Sequence, residues 1–177
     1  MSLLKSIKVP LTELQKEKIK VIDEFDYNPI KTKFKEEFLD LTDRYLSDGI
    51  ENLKRYYVVA LLDPENMHAV SNYVDPFWHI HLVFTKEYHA FCNEVFGQYI
   101  HHSPLQRENR EMVNHVRALY KYTREIYDEI FTSVDDNWWP AAESATEICY
   151  HYPVFSEDIL RDAVFPKKPE LLPTYAV

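Results

Sequence analysis

Apolar residues return along this chain with a helical period. Leu11, Leu14, Ile19, Ile22 and Phe25 mark a first helix from about Thr12 to Phe25. Asn28 followed by Pro29 opens a second, in which Ile30, Phe34, Phe38, Leu41 and Tyr45 recur every three or four residues. Ser47-Asp48-Gly49 predicts its stop. A third helix carries Ile50, Leu53, Tyr57 and Leu61 as far as Asp63-Pro64, and a polar loop runs on to Val74. Asp75-Pro76 repeats the cap-plus-proline device and predicts a fourth helix to about Phe96, ended by Gly97. The fifth and longest runs from about Gln106 to Phe131, with Met112, Val116, Leu119, Thr123, Ile126 and Ile130 on its core face.

Beyond Thr132 the pattern dissolves. A short helix over 141–149 is predicted after Trp138-Trp139-Pro140, and Pro153, Pro166, Pro169 and Pro173 then forbid long regular elements. The expected fold is all-α: an irregular bundle of five to six helices with a proline-rich C-terminal arm. Residues 1–150 are read as one helical domain. Residues 151–177 are read as the arm, packed on the body through Phe155, Leu160 and Phe165 or trailing from it.

Composition agrees. The 177 residues are 46% hydrophobic and 15% aromatic, enough for one domain with a real core. Only two glycines occur, Gly49 and Gly97, which excludes glycine-rich phosphate loops and disfavours a multi-hairpin β protein. Twenty basic against 29 acidic residues give a net charge of −9. That field repels phosphate backbones and anionic lipids, so neither nucleic acid nor membrane is an expected partner, whereas a protein partner is compatible with it. No apolar run reaches membrane-spanning length, and Met1-Ser2-Leu3-Leu4-Lys5 breaks into charge too soon for a secretory signal. Cys92 and Cys149 form no disulfide framework, so a reducing, cytoplasmic setting is expected.

The densest chemistry lies between Asp75 and Ser103, which holds five of the eight histidines and Cys92. Clusters of His, Cys and Asp point to a metal site or to a nucleophile with its base. Along one continuous helix, Trp78, His81, Thr85, Tyr88 and Cys92 form a stripe, with Asp75 and the ring of His79 towards the wetter side. A buried stripe this polar needs a hydrogen-bond network, a water or an ion. His81 and Cys92 lie about 16 Å apart along the axis and cannot share one ion. Asp75 can cap the helix and orient His79, four residues on. After Gly97 the chain can return His101 or His102 towards Cys92, and His115 on the fifth helix is a distal supplement. Cys149-Tyr150-His151 reads as a chance pairing, and His68 has no evident role.

Val74-Asp75-Pro76-Phe77-Trp78-His79, then Thr85, Tyr88, Phe91-Cys92, Phe96-Gly97 and Ile100-His101-His102-Ser103-Pro104, resemble the glycine-rich-domain-containing-protein-like family. That family includes short bacterial proteins and a module of larger plant proteins. The resemblance runs roughly from Leu53 to Pro140. Its signature positions here are Asp75, Trp78, His79, Thr85, Tyr88, Cys92, Gly97, His101 and His102. It implies no established reaction or ligand.

Three functional readings follow. The first is one transition-metal ion, zinc favoured, held by Cys92, His101 and His102 with His89 or His115; Asp75, Trp78, His79, His81, Thr85 and Tyr88 then form the structural motif. A protein without any cofactor is equally defensible, and the second reading is such a metal-free interaction module, in which Trp138 and Trp139 anchor a partner. The third is a thiol enzyme in which a histidine activates Cys92, which requires a depressed thiol pKa.

Overall fold

The computed structural model describes residues 2–38, 40–103, 105, 108–141, 149–151 and 156–171, with only the backbone of 149–151. Among them are seven α-helices and one two-stranded ribbon, so the all-α class holds with more helices than the periodicity outlines.

Helix α1 (Glu13–Glu24) begins at a capping box: Thr12 accepts from the Gln15 amide and the Gln15 side chain accepts from the Thr12 amide. Helix α2 (Asn28–Glu37) starts at Asn28-Pro29 and buries Ile30 and Phe34. It stops ten residues before the expected break. The chain turns through Asp40, whose φ is 67°, and the Thr42 hydroxyl accepts from the Tyr45 amide to start α3 (Asp43–Leu62). Ser47-Asp48-Gly49 is therefore inside a helix. Gly49 is there to let another helix approach, because the Phe77 ring fills the space a Cβ would take.

The expected fourth helix is two. Phe84, at φ −81° and ψ 61°, separates α4 (Asp75–Val83) from α5 (Thr85–Phe96). The break lets α4 pack on α2 and α3 while α5 packs on α1, which one straight helix cannot do. Gly97 ends α5 in the left-handed region, φ 69°, as a glycine C-cap does. Helix α6 (Arg110–Ile130) starts at Asn109, whose side chain accepts from the Met112 amide.

Strand β1 (His68–Val70) pairs antiparallel with β2 (Cys149–His151), with His68 opposite His151 and Val70 opposite Cys149. Cys149 is thus in a strand rather than at the end of a helix; the rest of the expected 141–149 helix, apart from Ala141, lies outside the described residues. Helix α7 (Glu157–Arg161) and a 3-10 turn at Pro169–Leu171 follow. The described part of the arm touches the body. The Val164 amide donates to Leu62 (2.9 Å), the Thr12 hydroxyl donates to Asp162 (2.7 Å), and Phe165 packs against the core. Phe155 is outside the described residues.

The core is unusually rich in tyrosine and tryptophan. Trp78, Trp139, Tyr56, Tyr57, Tyr88, Tyr120 and Tyr127 are all below 2% exposed. Such rings add large apolar area only if their polar tips find partners. They do: Asn52 Oδ1 accepts from both Trp139 Nε1 (3.1 Å) and the Tyr127 hydroxyl (3.2 Å), and Tyr120 donates to the Pro140 carbonyl (2.9 Å). Trp138, at 6% exposed, packs beside Tyr45 and Phe77. The expected partner anchors, Trp138 and Trp139, are therefore internal, because their indoles fill the space between α3, α4 and α6. No described helix is long and apolar enough to cross a membrane.

Candidate metal centre

Helix α4 places Asp75 and His79 one turn apart on the same edge. A turn closed by the Val74 and Asp75 amides on the Ser71 carbonyl sets the helix start. The residue before Asp75, Val74, supplies no side-chain cap, and the Asp75 carboxylate sits at the positive end of the helix. His102 arrives from the loop after Gly97. A hydrogen-bonded rail holds that loop: Trp78 Nε1 donates to the Tyr88 hydroxyl (3.0 Å), which donates to the Ile100 carbonyl (2.7 Å). The His102 ring then stands edge-on to Trp78, 4.6 Å between centroids.

Two imidazole nitrogens and both oxygens of one carboxylate converge there. His102 Nε2 lies 2.8 Å from Asp75 Oδ1, His79 Nε2 lies 3.3 Å from Asp75 Oδ2, and the two Nε2 atoms are 2.9 Å apart. The side chains of His102 and Asp75 are 8% and 15% exposed, whereas that of His79 is 53% exposed. Asp75, His79 and His102 are the one group of three metal-ligating side chains found together among the described residues.

Each Nε2 has either one hydrogen or one lone pair, and that makes the cluster informative. If both nitrogens donate to Asp75, two N–H groups face each other at 2.9 Å. If only His102 donates, the His79 lone pair faces a carboxylate oxygen, which only a proton on Asp75 Oδ2 relieves. A cation between the three satisfies every short contact at once. Ligand atoms on a tetrahedral ion with bonds of about 2.05 Å stand about 3.3 Å apart, and those on one face of an octahedral ion about 3.0 Å apart. The observed separations span that range.

The other expected ligands stand elsewhere. Cys92 is fully buried on α5, and burial pushes its thiol up to about 11 despite hydrogen bonds with the Ile100 backbone and Tyr88. A thiol held protonated is a poor nucleophile, which removes the support for the thiol-enzyme reading. His89 is exposed, 3.1 Å from the Asn93 amide nitrogen. His101 is exposed against Tyr99, and His115 is half-buried on α6 with its pKa lowered by burial. None of the four joins the Asp75 cluster.

The predicted stripe survives in part. Trp78, His81, Tyr88 and Cys92 are fully buried, but Thr85 is exposed because the chain turns at Phe84. His81 Nδ1 lies 2.8 Å from the Tyr57 hydroxyl, and burial lowers this imidazole to about 3.

One polar network escaped the sequence reading. His68 and Asp63 are both fully buried, with Nε2 3.0 Å from Oδ2. The Tyr122 hydroxyl and Asn66 Nδ2 each donate to Asp63 at 2.6 Å, and the Ala69 amide donates to Thr123. Asn66 also bonds Pro166 and Lys168, which fastens the arm. The signal was available in the loop: Asp63, Asn66 and His68 directly follow the apolar run from Tyr56 to Leu62 that ends α3.

A helical bundle with a partly exposed two-histidine, one-carboxylate cluster is the class of protein that fold and site define. The chain belongs to the UCP032817-like family, whose model matches residues 17–128 and so spans all three cluster residues. This uncharacterised family replaces the glycine-rich-domain-containing-protein-like resemblance. Several positions that carried the resemblance, Trp78, Tyr88, Cys92 and Gly97, are core or helix-cap positions here, so they report packing needs more than kinship. No curated protein and no solved structure matches the chain.

Proposed function

We propose that this protein binds one transition-metal ion, zinc favoured, through Asp75, His79 and His102. The supporting observation is the convergence of two imidazole Nε2 atoms on the two oxygens of one carboxylate, with separations of 2.8 to 3.3 Å. Two imidazoles and one carboxylate suit zinc, and three protein ligands with an open position is the pattern of zinc sites that act on substrates. The same set, with open positions, also suits ferrous iron. The half-exposed His79 leaves one side of the ion towards solvent.

The test is titration of metal-stripped protein with Zn²⁺ and Fe²⁺ against a chromophoric chelator. One equivalent should bind, tighter for Zn²⁺. His79→Ala and His102→Ala should each weaken binding by roughly two orders of magnitude. Cys92→Ser and His89→Ala should leave it unchanged. Absence of binding, or affinity indifferent to His102→Ala in a folded variant, refutes the proposal.

A further inference from the structure

Among the described residues four large apolar side chains are exposed, and two of them, Tyr45 (37%) and Tyr73 (45%), line one cavity. Its volume is about 530 Å³, against the roughly 150 Å³ that holds benzene, so it has room for more than one six-membered ring. Tyr45 comes from the first turn of α3, Tyr73 from the loop before α4, and a third aromatic residue of the lining, Trp138, from the loop after α6. Tyr45 leans on the Trp138 indole, 4.9 Å between centroids and 37° from parallel, and Phe77 contacts both rings.

The charged part of the lining is balanced. Asp48 stands 3.7 Å from the guanidinium of Arg44, which also lines the cavity, and Asp136 stands 2.8 Å from that of Arg124. The two carboxylates are therefore already paired against a cation, and Arg44 is already paired against an anion. What they keep is hydrogen-bonding capacity, because a carboxylate has several acceptor sites and a guanidinium several donors, more than one ion pair uses. The side chains of Arg44, Asp48 and Asp136 are each more than half exposed, so a ligand can reach them.

The rim is held in place by the protein itself. Asp135 Oδ1 accepts from both the backbone and the side-chain amide of Asn137, at 3.0 and 2.9 Å. Arg124 Nε donates to the Trp139 carbonyl (3.0 Å) and the Tyr120 hydroxyl to the Pro140 carbonyl (2.9 Å). The Ser71 hydroxyl donates to the Trp138 carbonyl, which ties this loop to the one that carries Tyr73. An irregular segment pinned at every residue from Asn137 to Pro140 loses little freedom when a ligand binds.

Exposed aromatic rings beside paired acids and bases match one ligand chemistry. A neutral sugar ring presents apolar C–H groups to an aromatic face. Each of its hydroxyls both donates and accepts, so neighbouring hydroxyls engage a carboxylate and a guanidinium together. A purely apolar ligand would leave the polar groups unpartnered, and an organic ion would meet charges already paired.

We propose that the cavity between the start of α3, Tyr73 and the loop 135–140 binds a neutral monosaccharide or disaccharide. Its C–H face lies on the rings of Tyr45 and Tyr73, and its hydroxyls bond Arg44, Asp48 and Asp136. The cluster of Asp75, His79 and His102 contributes no group to this site.

The probes are glucose, galactose, N-acetylglucosamine, maltose and cellobiose, with sorbitol as a polyol lacking a ring face, choline as the cation and phosphate as the anion. The chain has three tryptophans, so ¹H–¹⁵N spectra of the intact protein resolve their indole N–H signals, and Trp138→Phe assigns the one at the cavity. At least one sugar should move the Trp138 signal saturably at millimolar concentration and leave those of Trp78 and Trp139 in place. Sorbitol, choline and phosphate should move none. Tyr73→Ala, which removes an exposed ring, should weaken that sugar about two- to tenfold, the range one aromatic contact gives. A Trp138 signal unmoved by every sugar at tens of millimolar overturns the proposal, as does saturable binding of choline or phosphate in their place. Undiminished sugar binding to folded Tyr73→Ala overturns the location. Should that variant fail to fold, Arg44→Ala, at a side chain 91% exposed, decides the same question: the sugar must bind it more weakly.

Discussion

Replacing Gly49 by alanine sets two effects of opposite sign against each other. Gly49 lies inside α3, where alanine is the better helix former by about 0.8–1.0 kcal/mol. On an exposed helix face the change would stabilise the protein by that amount. Here the added Cβ falls within 2.7 Å of three atoms of the Phe77 ring. The ring has little room to retreat: it stacks on Phe34 at 4.2 Å, 21° from parallel, and meets Trp138 edge-on at 5.8 Å. Because three rigid groups must move together, the overpacking cost belongs near the top of its range, about 3 kcal/mol. The net is a loss of about 2 kcal/mol, or a melting temperature lower by roughly 4–8 °C for a chain of this size. Thermal denaturation followed by circular dichroism measures it. Phe77→Leu is costly alone, yet combined with Gly49→Ala it should cost less than the two changes added, since the smaller side chain relieves the clash. A melting temperature that rises in Gly49→Ala would refute the reasoning, because propensity alone would then have decided.

Two further outcomes follow from buried groups. Burial alone raises the Asp63 carboxyl, but His68, Tyr122 and Asn66 together hold it below its ordinary 3.8. Its contribution is therefore complete above that value and lost as pH falls through the lower folded value. Asp63→Asn should cost about 3 kcal/mol or more at pH 7 and flatten the decline of melting temperature as pH falls below about 3.8. Parallel curves for the two proteins would refute it. Cys92, fully buried with a thiol raised to about 11, should react with iodoacetamide at pH 7 far more slowly than a free cysteine, read by mass spectrometry of the intact fold. Alkylation at the rate of an unfolded control would overturn that assignment.

Much of the local structure was legible because its causes are local. The helix start near Thr12, the Asn28-Pro29 start, the Asp75-Pro76 start and the Gly97 stop each act within one helical turn, and all lie within a residue or so of where the sequence puts them. The core face of α6 was equally legible, since Met112, Val116, Leu119, Thr123, Ile126 and Ile130 are all buried at the expected spacing. Of the candidate site, the pairing of Asp75 with His79 was visible as an i, i+4 relation, although its use as a ligand pair was not. His102 was correctly suspected of returning to the helix, but towards the wrong end of it.

By itself, then, the sequence determined the helical class, the starts of α1, α2 and α4 and the stretch that holds the candidate site. Tertiary structure alone decided three things. Gly49 reads as a stop in the sequence and is instead a packing gap, because the ring that needs the space is Phe77, twenty-eight residues away along the chain. Phe84 carries no breaker signal, yet α4 and α5 part there because each half buries its apolar face against different helices. His102 meets Asp75 rather than Cys92 because the Trp78–Tyr88–Ile100 hydrogen bonds bind the returning loop to the start of α4. Each outcome depends on which distant surfaces come together, and no spacing along the chain encodes that.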